Sequence, residues 1–375
     1  MSNSPAVLVC PLDWGIGHAT RCVPVIRKFI EIGYRVILAA DGRALDFLKI
    51  EFPGCKTIHF PGVKINYTAN RTFAWKMVFL APVLLYGIFK EHFQLKKLIL
   101  SQRPSVVFSD NRYGLWSKDV KSIFMTHQLM VIPPGGFRIF SGLINSILHF
   151  FIRKFDECWI PDNEIQQGLA GLLSHPLKIS FPVHYVGTIS RFSVDKNSSI
   201  SVSEKIFDFM VILSGPEPQR TVFERIIFQK VKGSGLSGLI VRGRTEESEE
   251  RDLTENIRVF SHLETKRMQE FIRISKIVIC RPGYSSLMDL VTLGKNAVLV
   301  PTPGQTEQEY LARYLMEKKI FFSMAQWNFD LLYALEMSRN FSGMVMSNDY
   351  QLLDERIKSL FSSDLSEKNH HLGTE

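Results

Sequence analysis

Several absences narrow the reading of this 375-residue chain before any motif is considered. Cysteine is scarce: Cys10, Cys22, Cys55, Cys158 and Cys280 are odd in number and include no C-x-x-C pair. That excludes a disulfide framework and a cysteine-based zinc site, and fits a reducing compartment. No D-x-D-type acidic cluster and no His/Asp spacing typical of a metal site occurs, so no metal and no resident cofactor is expected. The aromatic stacking motifs of RNA-binding modules are missing, so no nucleic-acid partner is expected. The opening Met1–Pro5 is short and polar and leads into a strand-like run, so no secretory leader is expected. Long apolar runs are almost absent. The exception, Phe73–Phe89, is interrupted by Lys76 and Pro82 and sits at the lower limit for a membrane span.

What is present describes a globular chain of more than one unit. Hydrophobic residues make up 45%, enough to bury real cores. At roughly 100–200 residues per domain the length suggests two. Lysine and arginine exceed the acids to give a formal charge of +8, which favours anionic partners such as nucleotides, diphosphates or acidic lipid surfaces.

Short apolar runs alternate with helical patterns. Ala6–Leu12, Tyr34–Ala40, Val106–Ser109, Ser122–Met125, Glu157–Ile160 and Val183–Gly187 read as strands. Helices are expected over Ala19–Ile32, stopped by Gly33, and over Glu91–Ser101. The serine-rich Ser190–Glu204 reads as a linker, after which the pattern restarts with Phe207–Leu213, Gly238–Arg242, Ile257–Phe260, Ile277–Cys280 and Ala297–Val300. The expected organisation is an α/β domain over 1–190, a linker over 191–205, a second α/β domain over 206–362 whose last helices can cross back, and a polar tail over 363–375.

Three segments carry chemistry. In Asp13-Trp14-Gly15-Ile16-Gly17-His18-Ala19-Thr20, Gly15 and Gly17 lie at a strand-to-helix turn, where backbone N–H groups and the helix dipole face outward. A dinucleotide fingerprint is the competing reading, with Asp41 as its acid, but Thr20 replaces the third glycine. In Cys280-Arg281-Pro282-Gly283-Tyr284-Ser285-Ser286-Leu287-Met288-Asp289, a strand ends, Gly283 permits a sharp turn, and Ser285 and Ser286 open a helix suited to a diphosphate. Asp289 follows one turn on, placed to accept ribose hydroxyls; a helix cap with a solvated acid is the plainer alternative. In Val300–Tyr310, Gln308 and Glu309 are positioned to bond sugar hydroxyls, or simply to complement a helix dipole.

Together these segments resemble glycosyltransferase family 28, which includes MurG-like N-acetylglucosaminyltransferases and galactolipid synthases. The resemblance is concentrated at 13–21 and 260–313. It implies the GT-B fold, two Rossmann-like domains facing each other across a cleft, and a UDP-linked hexose or N-acetylhexosamine as co-substrate. It implies a ribose-binding role for Asp289, a phosphate turn at Gly283, Ser285 and Ser286, and donor-sugar contacts at Gln308 and Glu309. His18 matches the family's loop histidine, and Ser214-Gly215 its second glycine loop. The run containing His262 and Leu263 matches the uracil-contacting loop, and His127-Gln128 an acceptor-side segment. Three departures stand out: Gln128 replaces a glutamate, Glu309 replaces a glutamine, and Pro216 and Pro218 stiffen the second loop.

Transfer needs a stabilised leaving diphosphate, a base and exclusion of water. Arg242, Arg281 and the helix N-termini are candidates for the first. His18, Asp13, Asp110 and His127 are candidates for the base, with His18 first. The apolar and basic stretches Phe73–Lys97 and Phe137–Lys154 suggest a lipid or lipid-linked acceptor and contact with an anionic inner membrane face from the cytoplasm; ordinary core helices are the alternative. Rival readings are a UDP-sugar epimerase or hydrolase of the same fold, an NAD-dependent Rossmann enzyme, and a non-catalytic nucleotide- or nucleic-acid-binding module.

Overall fold

A computed structural model describes residues 4–63, 81–133, 135–164, 168–176, 179–192, 206–245, 247–346 and 350–360. Phe73–Leu80, most of the linker and the polar tail lie outside these residues.

The N-terminal sheet contains β1 (Ala6–Pro11), β2 (Arg35–Ala40), β3 (Lys56–His59), β4 (Val106–Asp110), β5 (Lys121–Met125), β6 (Glu157–Ile160) and β7 (His184–Tyr185). Its order is β3-β2-β1-β4-β5-β6-β7 and every pairing is parallel. Every residue of β1 and β4 is buried, as expected of a parallel sheet covered on both faces. The covering helices include α1 (Ile16–Ile32), α2 (Gly42–Glu51), α3 (Ala81–Gln102) and α4 (Ser141–Ile152), the last entered through a 3₁₀ turn at Gly135–Phe140.

Helix α1 starts three residues earlier than the sequence suggests, so Gly17 and His18 lie in its first turn rather than in a loop. It stops where expected: Gly33 adopts φ 102°, its N–H bonds Ile30 O, and Tyr34 N–H bonds Phe29 O. This left-handed stop favours glycine.

The second sheet has the order β10-β11-β9-β8-β12-β13-β14. Its strands are β8 (Phe207–Ile212), β9 (Gly238–Val241), β10 (Glu250–Thr254), β11 (Ile257–Phe260), β12 (Ser275–Cys280), β13 (Ala297–Leu299) and β14 (Phe322–Ser323). All pairings are parallel except β10 with β11. The β10 strand is charged and largely exposed, and the sequence pattern shows nothing of it because only its ladder to β11 makes it a strand. Helices α5 (Gln219–Val231), α6 (Thr265–Arg273), α7 (Tyr284–Thr292), α8 (Thr306–Glu317) and α9 (Leu331–Ser338) pack around this sheet.

A final helix, α10 (351–360), returns to the N-terminal half. Asp354 pairs with Lys28 at 3.2 Å, Arg356 with Glu157 at 3.0 Å, and Tyr350 donates to Ser190 O at 2.6 Å. Leu353, Ile357 and Leu360 are buried in a cluster that includes residues of both sheets.

In each sheet the chain reverses direction of progress between two neighbouring central strands: β1 and β4 in the first, β8 and β12 in the second. A crevice opens outside the carboxyl ends of the strands at such a point. The two crevices face each other, because α1 and α7 start there and touch across the domain boundary.

Candidate active site in the interdomain cleft

The N-terminal wall begins where β1 ends. Gly15 is the N-cap of α1, with extended backbone and no side chain to satisfy the first helical N–H groups. Space beside its Cα is open. Gly17 is tight instead: a Cβ there would stand 3.3 Å from Ser285 Oγ, which donates to Gly17 O at 2.7 Å. Asp13 lies beside Gly42, whose φ is +49° and whose Cβ would meet Asp13 Oδ2 at 2.9 Å.

One turn along α1, Arg21 is buried and grips Asp110 at the end of β4. Its Nε stands 2.8 Å from each carboxylate oxygen, and its Nη2 also donates to Oδ1. Asp110 is wholly buried. Burial pushes its carboxyl up, but the charges of Arg21 and His18 and their hydrogen bonds overcome this and hold it below the ordinary carboxylate value. Burial likewise opposes the Arg21 charge, and Asp110 more than offsets it, so Arg21 titrates above its usual range.

His18 Nδ1 lies 3.1 Å from Asp110 Oδ2 and 2.9 Å from Arg21 Nη2. With a proton on Nδ1 it donates to Asp110; without one it accepts from Arg21. Burial, then the Arg21 charge, pushes the imidazole below its usual value, with Asp110 opposing, so the ring is neutral near pH 7. Its side chain is 19% exposed, so His18 reaches the cleft while Asp110 does not.

His127, just beyond β5, completes the wall. Its Nδ1 accepts from Arg21 Nη1 at 2.9 Å, and its Nε2 meets Glu307 Oε1 of α8 at 2.7 Å. Its ring stacks on Tyr284 with centroids 4.2 Å apart and planes 2° from parallel. Burial raises the Glu307 carboxyl, and His127, through charge and hydrogen bond, outweighs that and keeps it low. Gln128 is half-buried, its backbone N–H donating to Thr126 Oγ1 at 3.0 Å.

The C-terminal wall is built from α7 and its neighbours. Gly283 is its N-cap and offers no side-chain bond to the first turn. Tyr284 donates to Pro161 O of the other domain at 2.7 Å, and Ser285 to Gly17 O as noted. Ser286 is half-buried beside them. Asp289, one turn further, accepts from Ser190 Oγ at 2.5 Å and lies 3.5 Å from Arg191 Nε. Burial raises its carboxyl above the ordinary value, with Arg191 and Ser190 pulling the other way. His262 is half-buried, its imidazole pushed down by burial and then by Arg191; Leu263 is buried. Ser214 and exposed Gly215, φ 100°, form the loop after β8, and a Cβ on Gly215 would lie 3.8 Å from Thr302 Oγ1.

Four expected donor contacts are engaged otherwise. Arg281 is enclosed in the C-terminal domain: Nη1 donates to Val300 O at 2.8 Å and Pro301 O at 3.1 Å, and Nη2 to Gln326 Oε1 at 2.5 Å. The guanidinium lies over Phe223, and burial pushes it down to about 9. Arg242 is neutralised by Glu224, Glu247 and Glu249. These two arginines, expected to supply positive charge to the cleft, are instead held by partners within the C-terminal domain: Arg281 because a buried guanidinium must find them, Arg242 through three carboxylates. Gln308 Oε1 accepts from Thr302 N–H and Glu309 Oε1 from Gly304 N–H, both at 2.8 Å, so these carbonyl and carboxylate oxygens brace the 302–305 turn.

The site therefore brings together Gly17, His18, Asp110, His127, Ser285 and, one turn behind, Asp289. Sequence reasoning missed Arg21, Tyr284 and Glu307. Arg21 carried a signal, because it sits at i+3 from His18, on the same helix face, within an otherwise apolar run. Glu307 carried none: it reads as a first-turn acid, and its partner is 180 residues away.

Comparison with known proteins finds matches in both halves of the chain. Residues 239–330 match the glycosyltransferase family 28 C-terminal domain, and residues 12–129 match glycosyl transferase family 1. Curated relatives include glycosyltransferases, described as uncharacterized, from Methanosarcina acetivorans and Methanosarcina mazei. They are 20% and 18% identical over 325 and 331 residues, covering 81% of this chain and 81% of each relative. Similar solved structures include the glycotransferase of kitacinnamycin, at TM-score 0.62 and 11% identity over 96% of this chain and 95% of that one. The spinosyn rhamnosyltransferase SpnG complexed with thymidine diphosphate aligns at TM-score 0.57 and 16% identity over 96% of both chains. MurG of Acinetobacter baumannii aligns at 0.51 and 12% over 96% of this chain and 95% of that one. With two Rossmann-like sheets meeting at their switch points and glycosyltransferase family matches in both halves, the chain is a glycosyltransferase of GT-B fold, similar over residues 239–330 to the family 28 C-terminal domain.

Proposed function

We propose that this enzyme moves a sugar from a nucleoside diphosphate sugar, UDP-linked hexose or N-acetylhexosamine, to a hydroxyl of a lipid or lipid-linked glycan, with inversion at the anomeric carbon. The observation that carries this reading is the pairing across one cleft of the His18–Asp110 dyad with the uncapped N-terminus of α7. The acceptor oxygen attacks the anomeric carbon as the bond to the diphosphate breaks. Its proton passes to His18 Nε2; in the tautomer this role requires, Nδ1–H is given to Asp110 Oδ2 and Arg21 Nη2 turns its donors to Asp110 Oδ1 instead of His18. The departing diphosphate keeps the bonding electrons and is stabilised by the first-turn N–H groups and the hydroxyls of Ser285 and Ser286. Asp289 accepts the ribose hydroxyls in exchange for Ser190. The loop at His262 and Leu263 borders the base. No metal and no resident cofactor is invoked, because the helix N-terminus supplies the field. A nucleoside diphosphate fits the similarity to SpnG, whose structure was solved with thymidine diphosphate.

Support for the acceptor class comes from an exposed face. On α3, Tyr86, Phe89 and Phe93 are 69%, 51% and 63% exposed; around α4, Ile139, Leu143 and Phe150 are 81%, 61% and 55% exposed. Phe89 and Phe151 meet edge to face, so the two helices form one patch. Lys96 and Lys154 lie over its aromatic rings. The stretch Gly135–Ile152 is long and apolar enough to cross a membrane, yet Phe151 and Ile152 are buried and Asn145 and His149 bond the 129–131 loop. Helix α4 is thus tied to its domain along one side and suits an anionic surface rather than a span.

The test is thermal shift with UDP, dTDP, GDP and NAD, followed by UDP-sugar turnover with and without a membrane-lipid extract. Stabilisation by UDP and acceptor-dependent release of UDP are expected. Stabilisation by NAD alone would sink the reading. Acceptor-independent release of UDP would favour the epimerase or hydrolase alternative, which needs a further cleft acid such as Glu307.

A further inference from the structure

Both ring nitrogens of His127 have partners. A guanidinium can only donate, so the Arg21 Nη1 contact at 2.9 Å requires a bare Nδ1 on His127. The ring proton is then on Nε2, and the partner at 2.7 Å is the Glu307 carboxylate. Arg21 and His127 belong to the N-terminal domain, Glu307 and the stacked Tyr284 to the C-terminal one. This pair is partly buried in the cleft, as are Ser285–Gly17 and Asp289–Ser190, so three polar groups of the candidate site are bonded to the protein itself. An arriving substrate carries oxygens that compete for the same donors.

We propose that Glu307 is a latch residue of the site. Its carboxylate holds the Nε2–H of His127 across the cleft, in the place an oxygen of the bound substrates takes during turnover. The inference deepens the proposed function and rests, in its second half, on the cleft being the nucleotide-sugar site. Arg21 acts as the positioning residue: by occupying Nδ1 it keeps the Nε2–H turned toward the cleft. The cost of breaking the latch falls on substrate binding, because a site that is open for only a fraction of the time binds more weakly by that fraction.

The test uses full-length protein with spin labels at exposed Leu100 and Leu332, one per domain, in a Cys55→Ser background; the other four cysteines are buried. Glu307→Gln removes the charge. Glu307→Asp keeps the charge but withdraws it by one methylene, out of reach of His127. Without ligand, both variants should raise the open population about tenfold, the equivalent of one hydrogen bond to a charged group. Both should bind UDP tighter by a similar factor. Unchanged distances in both variants would overturn the latch. Opening by Glu307→Gln alone would reduce the effect to charge and overturn it equally. Imidazole ¹⁵N shifts give a second reading: a proton on Nδ1 of His127 in the ligand-free enzyme is incompatible with the latch. If both variants open but neither they nor the wild type bind UDP, dTDP or GDP, the closure latch stands and the nucleotide-sugar reading fails.

Discussion

Arg21→Met removes the main group that makes a buried Asp110 tolerable. Methionine replaces the aliphatic stem of the arginine but not its charge. Asp110 has no exposed surface and loses its Nε and Nη2 donors, keeping His18 and the weak thiol donor of Cys22 at 3.8 Å. Breaking a buried pair from one side costs about 3–5 kcal/mol, since an uncompensated charge stays inside. For a domain of this size that is roughly 6–20 °C in Tm. The sign with pH follows from the carboxyl. In the wild type its folded value is depressed, so its contribution is present above the unfolded value and lost as pH falls through the folded one. In the variant burial dominates, the folded value lies above the unfolded one, and the penalty is greatest at neutral pH and shrinks on acidification. Urea denaturation at several pH values measures this, and adding Asp110→Leu should recover most of the loss. A neutral-pH loss below about 1 kcal/mol, or one that grows as pH falls, would refute the placement of this pair at the heart of the N-terminal wall.

Three further outcomes follow from the same geometry. Asp289→Asn should melt higher at neutral pH, because burial raises the folded carboxyl and its stability contribution is lost as pH rises through that value. The same variant should bind UDP about tenfold more weakly by calorimetry, and undiminished affinity would remove the ribose assignment. His18→Ala should lower the transfer rate about 10²–10⁴-fold while leaving UDP affinity within a few-fold; retained turnover would move the base elsewhere. Leu143→Glu with Phe150→Glu should weaken co-sedimentation with phosphatidylglycerol vesicles by more than about tenfold, each side chain contributing about 1.5–3 kcal/mol. Binding of the wild type that ignores salt, or does not occur, counts against a basic docking face.

Much of the architecture was legible because periodicity and punctuation are local. The apolar runs at Ala6–Leu12, Val106–Ser109 and Ile277–Cys280 are too short for helices and coincide with β1, β4 and β12, the first two of which are buried throughout. Gly33 stops α1 for a reason internal to the residue. The C-R-x-G segment similarly announces a strand end followed by a helix start. Legibility failed where a residue's role depends on a distant partner. Arg281 has the composition of a phosphate-binding arginine, but Val300, Pro301 and Gln326 take its donors inside the domain. Gln308 and Glu309 stand at the expected positions and brace a turn. The apolar stretches around α3 and α4 were ambiguous between core and surface, and only packing distinguishes Ile152, buried, from Phe150, exposed.

The sequence by itself therefore determined two α/β units in tandem and the local character of the Cys280–Asp289 turn, since strand length, glycine placement and helix capping act within a few residues. Tertiary structure alone decided which charges are neutralised and which side chains meet. Arg21 with Asp110 and His127 with Glu307 are contacts between residues 89 and 180 positions apart, and no local propensity encodes them. They exist because parallel strands deliver their carboxyl ends to one edge, and because two such edges face each other across the cleft.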